Sequence, residues 1–330
     1  MARISVILPV FNGDKYIKEA VTSILNQSYK DFDLYVIDDG STDQTVEVLQ
    51  EFNDCKLKII SNDRNRGLIY TLNKGIDLGS DSEFIARMDA DDISLKNRFA
   101  EQIDYLDANK KVGLLGSAMK YFSEDGSNTK TKYRPGNHSK ILSTFLFYNP
   151  LFHPTVMIRN SVLGTTDRYP LQFPKNEDHA FWVDLSVKTN FANLNQVLLK
   201  YRRHNSNITN TYVNDINNDF LVNKKLLLRF CNKWNIALSE SEMNVLSTIS
   251  IKDRQILNPD YSPMELIDTL NSIMSKLPSA FDLTYFRNVF FDRCLQYLIT
   301  GNNLKKTFSL FSKYKYDKSF LLRYAVLGKH

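Results

Sequence analysis

The sequence predicts an α/β fold, a largely parallel sheet with helices on both faces, followed by an α-helical module. Over residues 3–110, short apolar runs alternate with segments of helical periodicity, the mark of βαβ units. Three of those runs end in loops with polar residues, where open parallel sheets hold their ligands. From about residue 214 the short runs cease and helical stripes take over.

The first strand is expected over residues 4–8, and the helix after it shows a core face at Tyr16, Ile17, Ala20, Val21, Ile24 and Leu25. The second strand is expected over 34–37, with a helix starting near Ser41-Thr42-Asp43, whose side chains can cap free backbone donors. Runs at 57–60 and 84–88 supply the third and fourth strands. All four are short and apolar, as strands buried on both faces should be. After Lys111 the rhythm shortens, with turn signals at Arg134-Pro135-Gly136 and Tyr148-Asn149-Pro150. A helix is expected from Glu177-Asp178 and a strand over 195–201. The Asn-rich stretch 205–218 reads as a linker. Stripes at Leu221, Leu226, Leu227 and Leu228, and at Phe290, Phe291, Leu295 and Leu298, mark the helical module. These boundaries divide the chain into units 1–210 and 211–330.

A chain of 330 residues is about twice the usual domain length, in keeping with two units. Its 43% hydrophobic and 24% charged residues are those of a globular protein. Cys55, Cys231 and Cys294 are odd in number and widely spaced, which argues against a disulfide framework or zinc knuckle and suits a reducing compartment. No apolar run approaches the roughly 18–20 residues of a membrane span, so a cytoplasmic location is expected. The net charge of +5 resides beyond residue 210, where 16 basic face 11 acidic residues. Residues 305–330 hold seven basic side chains and one acid, Asp317, interleaved with aromatics. Two readings fit them: a peripheral contact with the anionic inner membrane, or a solvated helical face over a small core.

Three strand ends carry the candidate chemistry. Asp89, Asp91 and Asp92 follow the fourth strand so closely that their charges repel without a counterion, and hard carboxylate oxygens suit Mg2+ or Mn2+, which also bind phosphates. A helix-capping role accounts for one of these acids but poorly for three. Asp39, after the second strand, can accept a hydrogen bond from a nucleobase while Phe11, after the first, offers a stacking face. An Asx turn and a core aromatic are the structural alternatives for these two.

These segments resemble the family 2 glycosyltransferases with the GT-A fold, a Rossmann-like mixed sheet, over roughly residues 3–205. The resemblance rests on Ile7-Leu8-Pro9-Val10-Phe11-Asn12, Val36-Ile37-Asp38-Asp39-Gly40-Ser41-Thr42-Asp43, Asn65-Arg66-Gly67, Asp89-Ala90-Asp91-Asp92 and Glu177-Asp178. It implies a nucleotide-binding part over about 1–110 and an acceptor part over about 111–210. Pro9, Phe11 and Asp39 would hold the nucleoside, and Arg66 would lie near base or diphosphate. Asp91 would bind the metal, with Asp89 beside metal and ribose, Ala90 between them, and Asp92 assisting. Asp178 would be the general base. Tyr201-Arg202-Arg203-His204 resembles a segment that closes over the diphosphate, and Arg203 is its expected phosphate contact. The implied reaction is inverting transfer of a sugar from a nucleotide diphosphate donor, UDP-sugar foremost, to a glycan acceptor hydroxyl. The acceptor would belong to O-antigen, capsule or another surface polysaccharide and could be lipid-linked. No nucleic acid partner is expected.

Asp178 can also serve the dipole of its helix, and His153 can contact acceptor or phosphate or simply be a hydrogen-bonded structural histidine. His179 is a weaker candidate. Two rival functions remain. Asp89-Ala90-Asp91-Asp92-Ile93 superficially resembles a phosphatase nucleophile motif, which belongs after a first strand rather than a fourth. A non-catalytic sugar-nucleotide binding protein would need no base. Neither a Walker loop nor GxGxxG occurs, which removes P-loop and dinucleotide readings.

Overall fold

The computed structural model describes residues 2–123, 129–204, 216–251 and 261–300. The chain divides into Met1–Val213 and Asn214–His330. In the first unit the strands β1 (Ile4–Val10), β2 (Phe32–Asp38), β3 (Leu57–Ser61), β4 (Phe84–Arg87), β5 (Ile93–Ser94), β6 (Val112–Ser123), β7 (Lys130–Lys132), β8 (Met157–Arg159) and β9 (Asn190–Arg203) form one mixed sheet. Its order is β3-β2-β1-β4-β8-β6-β9-β5, with β7 paired to β6. The neighbours β3, β2, β1 and β4 are parallel, whereas β8 is antiparallel to both β4 and β6. The long strands β6 and β9 run parallel, with register shifts that curl this half of the sheet.

Helices α1 (Asp14–Leu25), α2 (Thr45–Gln50), α3 (Leu68–Leu78) and α4 (Arg98–Ala108) accompany the parallel half. On α1, Ile17, Ala20, Val21 and Ile24 are fully buried, as the periodicity predicts, while Tyr16 and Leu25 are half-buried at the stripe's edges. Helix α3 approaches β1 so closely that a Cβ at Gly75 would collide with Ile7. Helices α5 (His138–Phe145) and α6 (Glu177–Leu185) belong to the second half.

Three expectations need correction. β3 is the sheet's edge, so Lys58 and Ile59 are exposed and the strand is not buried on both faces. Helix α2 starts at Thr45, because the Asp43 carboxylate accepts from the Thr45 amide and the preceding residues form a loop. The last strand begins at Asn190, five residues earlier than the apolar pattern suggests, since pairing with β6 extends it through polar positions.

Among the described residues the second unit contains helices Ile216–Trp234, Glu240–Ser250, Pro263–Lys276 and Leu283–Thr300. Ser239 with Glu242, and Ser262 with Glu265, form reciprocal capping boxes. Leu226 and Leu227 are buried, but Leu221 and Leu228 are exposed, so the predicted stripe is only half right. Phe290, Phe291 and Leu295 join the core. Most of the expected linker, the side chain of Leu298 and the basic stretch 305–330 lie outside the described residues. No described helix is long and apolar enough to cross a membrane.

Candidate active site

The strand order reverses direction between β1 and β4, which opens a crevice beyond their carboxyl ends. The loop after β1 is clipped to the loop after β2. Asn12, at φ 51°, receives the Thr42 amide on its Oδ1 at 2.8 Å, and its own amide donates to Ser41 Oγ at 2.8 Å. The Gly13 amide donates to Thr45 Oγ1 at 2.8 Å. This leaves Phe11 46% exposed, with its ring free of the core, while Pro9 stays buried in the strand.

Asp39 is 4% exposed. Its Oδ1 accepts from Asn62 Nδ2 at 2.7 Å and from the Arg66 amide at 2.9 Å, and its Oδ2 accepts from the Gly67 amide at 2.8 Å. The carboxylate therefore organises the loop 62–67, and of its roughly four acceptor positions one remains, on Oδ2. Gly40 is required here because its φ is 75° and a Cβ would lie 2.5–2.8 Å from the Arg64 and Asn65 backbone. Arg66 is exposed and held by Asp63 through Nε at 2.9 Å and Nη2 at 3.0 Å.

After β4 the chain turns through Asp89-Ala90-Asp91-Asp92 into β5, which pairs with β9. One carboxylate oxygen from each of Asp89, Asp91 and Asp92 lies within 4.8 Å of the others. Burial pushes the Asp92 carboxyl well up, with Asp89 and Asp91 adding to it; Asp89 is also raised, by burial first, against the pull of Arg87. Asp92 Oδ2 is buried without a hydrogen-bond partner. Crowded hard oxygens, one of them unsatisfied, fit a divalent cation.

The pairing of β5 with β9 brings the end of β9 over these acids. The Arg202 amide donates to Asp92 Oδ1 at 2.9 Å and Arg202 Nε to the Asp91 carbonyl at 2.9 Å. His204 Nε2 lies 2.9 Å from Asp91 Oδ2, which adds an imidazole to the possible metal ligands. Arg203, the expected phosphate contact, instead lies over the Tyr121 ring at 5.3 Å and is exposed. The reason is strand alternation: 202 and 204 face the acids, and 203 faces away.

Asp178 stands in the first turn of α6. Its Oδ1 accepts from the His179 amide at 2.7 Å and its Oδ2 from Asn149 Nδ2 at 2.6 Å, so each oxygen keeps a lone pair for another donor. Burial raises its pKa. Glu177, 7% exposed, is pushed up to about 8, by burial first and Asp178 second, and it also feels Asp89 and Arg87. The acids after β4 and the pair on α6 thus share one electrostatic neighbourhood. His153 Nε2 meets the Tyr169 hydroxyl at 3.0 Å, and burial holds its pKa well below the ordinary value. His179 stacks on Phe145 and is neutral, burial having lowered it to about 4.

Several members of this site escaped the sequence reading. Arg87, 6% exposed, is ion-paired with Asp89; an arginine inside the apolar run Phe84-Ile85-Ala86 was the available signal. Asn149, dismissed as a turn residue, and Tyr169 left no periodic signature.

The elevated Glu177 has a measurable consequence. Between about pH 4.5 and pH 8 the folded protein keeps a proton that the unfolded chain has released, so this residue lowers stability progressively as pH rises through that window. Glu177→Gln should remove the effect. In metal-free thermal melts its advantage over wild type should be small at pH 5 and grow to a few kcal/mol, roughly, at pH 8. An advantage independent of pH would contradict the assignment.

The chain matches Glycosyl transferase family 2 over residues 5–164. It is 35% identical over 225 residues to an uncharacterized glycosyltransferase of Haemophilus influenzae, covering 65% of this chain and 69% of that protein. It is 33% identical over 208 residues to the O-antigen biosynthesis glycosyltransferase WbnJ of Escherichia coli, covering 61% and 80%. Among solved structures, S. aureus TarS 1-349 in complex with UDP-GlcNAc superposes with a TM-score of 0.60 at 18% identity, covering 96% of this chain and 93% of that one. The Pyrobaculum calidifontis mannosyltransferase PcManGT in complex with GDP-Man and Mn2+ gives 0.51 at 16% identity, covering 92% and 87%. At such identities these structures speak for the GT-A fold alone. Family membership sets aside the phosphatase alternative, and the chain belongs to glycosyl transferase family 2.

Proposed function

We propose that this glycosyltransferase transfers a sugar from a UDP-sugar, in the presence of Mn2+ or Mg2+, to an acceptor hydroxyl of a growing surface polysaccharide, with inversion at the anomeric carbon. The observation that carries this reading is the Asp89/Asp91/Asp92 cluster that follows β4, with one carboxylate oxygen of each within 4.8 Å of the others, together with the Glu177–Asp178 pair in the first turn of α6.

The exposed Phe11 ring stacks on the base, and the one free acceptor position of Asp39 matches the single ring N–H of uracil. Guanine, with N–H donors on both N1 and the exocyclic N2, asks for more than Asp39 has left. Arg66, steadied by Asp63, reaches toward base or diphosphate. Asp91, Asp89 and Asp92, with His204 beside Asp91, would hold the cation, which when bound stabilises negative charge on the departing diphosphate. Asp178 takes the proton of the acceptor hydroxyl on a free lone pair, and its raised pKa makes it the stronger base. The hydroxyl oxygen attacks from the face opposite the phosphate, so an α-linked donor yields a β-glycoside. WbnJ, an O-antigen biosynthesis enzyme, supports the surface-polysaccharide assignment.

A panel of UDP-, dTDP- and GDP-sugars tests the donor class by thermal stabilisation and hydrolysis in Mn2+. Stabilisation and turnover should be greatest with a UDP-sugar. Preference for a GDP-sugar would refute the role given to Asp39, and binding without any turnover or transfer would favour a non-catalytic sugar-nucleotide protein.

A further inference from the structure

We propose that Asn62 determines nucleobase specificity: by donating to Asp39 it takes the acceptor position that guanine would need beside the one that uracil uses.

Asn62 follows β3, and its backbone amide donates to the Asp38 carbonyl at 2.8 Å, so the main chain here is fixed without help from the side chain. The side-chain amide has one workable orientation. Its Oδ1 faces Lys74 Nζ, on α3, at 2.7 Å, and an ammonium group can only donate. Its Nδ2 therefore points the other way, to Asp39 Oδ1 at 2.7 Å and to Thr71 Oγ1 at 3.2 Å. A flipped amide would set a donor against Lys74 and an oxygen against the Asp39 carboxylate. Lys74 thus holds Asn62 in the orientation that occupies Asp39.

Of the three hydrogen bonds that Asp39 accepts, two come from the main-chain amides of Arg66 and Gly67 and do not depend on the side chains at those positions. The third comes from a side chain. The residue at 62 therefore decides whether Asp39 offers a base one acceptor position or two. Uracil, with one ring N–H, is served by the position on Oδ2. Guanine presents N1–H and the exocyclic amino group side by side and needs a position on each oxygen. Asp39 is 4% exposed, so a base edge that reaches it leaves water behind. With Asn62 in place, the amino group of guanine is desolvated and gains no hydrogen bond to the carboxylate.

The inference rests on the proposed role of Asp39 as the acid that reads the base, and calorimetry of nucleoside diphosphates binding to the full chain in Mn2+ tests both without turnover. GDP and inosine diphosphate carry the same phosphates on purines that differ only in the exocyclic amino group. Wild type should bind inosine diphosphate more tightly than GDP. In Asn62→Ala the ratio of GDP affinity to inosine diphosphate affinity should rise about tenfold or more, because the amino group gains an acceptor on Oδ1. An Asn62 that merely orders its loop would, on removal, weaken both nucleotides by one common factor. An unchanged ratio, or an Asn62→Ala protein that still binds no GDP, overturns the proposal. If Asn62→Ala does not fold, Asn62→Ser, too short to reach Asp39, decides by the same ratio. Failure of the Asp39 reading shows separately and in wild type, as CDP, whose ring N3 carries no proton, binding as tightly as UDP.

Discussion

Asp178→Asn should lower kcat by about a hundredfold to ten-thousandfold, the usual worth of a positioned general base, while donor affinity in Mn2+ stays within a few-fold of wild type. Donor affinity should survive because Asp178 sits on α6, whereas the proposed nucleoside contacts lie after β1 and β2. The substitution is not innocuous for the fold. Asp178 accepts from both the His179 amide and Asn149 Nδ2, and an asparagine has one acceptor oxygen to offer. A destabilisation of about 1–2 kcal/mol is expected from the donor left facing a donor, so kcat must be read well below the variant's melting temperature. Parallel loss of donor binding and kcat would assign Asp178 to substrate holding instead of proton removal.

Asp91→Ala, or chelation of the wild-type protein with EDTA, should cost at least roughly a hundredfold in activity, since several kcal/mol of leaving-group stabilisation depend on the cation. Added Mn2+ or Mg2+ should restore the chelated wild type and fail to restore Asp91→Ala. Calorimetry of UDP binding provides the second readout: affinity should depend on Mn2+ in the wild type and become independent of it in the variant. His204 lies against the same carboxylate, so His204→Ala should weaken Mn2+ dependence less than Asp91→Ala does. Full activity in chelator would show that the three acids serve the fold through Arg202 and Arg87 and hold no metal.

Both experiments probe a site whose two ends differ in how they could be read. The acids at 89, 91 and 92 announce themselves because three like charges follow an apolar strand, and the structure brings their oxygens within 4.8 Å of one another. Asp39 was equally visible, but its principal contacts were not. A carboxylate at the end of β2 can cap a turn or meet a ligand, and only the folded loop 62–67 shows it accepting three hydrogen bonds with one position to spare. Arg203 illustrates the reverse case. A run of basic residues at the end of a strand signals phosphate contact, yet pleating assigns alternate residues to opposite faces, and register with β5 and β6 selects 202 and 204.

By itself, then, the sequence determined the βαβ rhythm, the four parallel strands, the helical second unit and the acids that follow β2 and β4. These are properties of residues near one another along the chain, where hydrophobic period and turn chemistry act directly. Tertiary structure alone decided that β3 is an exposed edge, that β8 and β9 complete a mixed sheet, that Asn149 bonds Asp178, that Tyr169 bonds His153, and that Arg87 pairs with Asp89. Those outcomes depend on pairings between strands far apart along the chain, such as Phe84 with Arg159 and Ile93 with Lys200, and on the cost of burying charge without a partner. Neither quantity is carried by a local window of sequence.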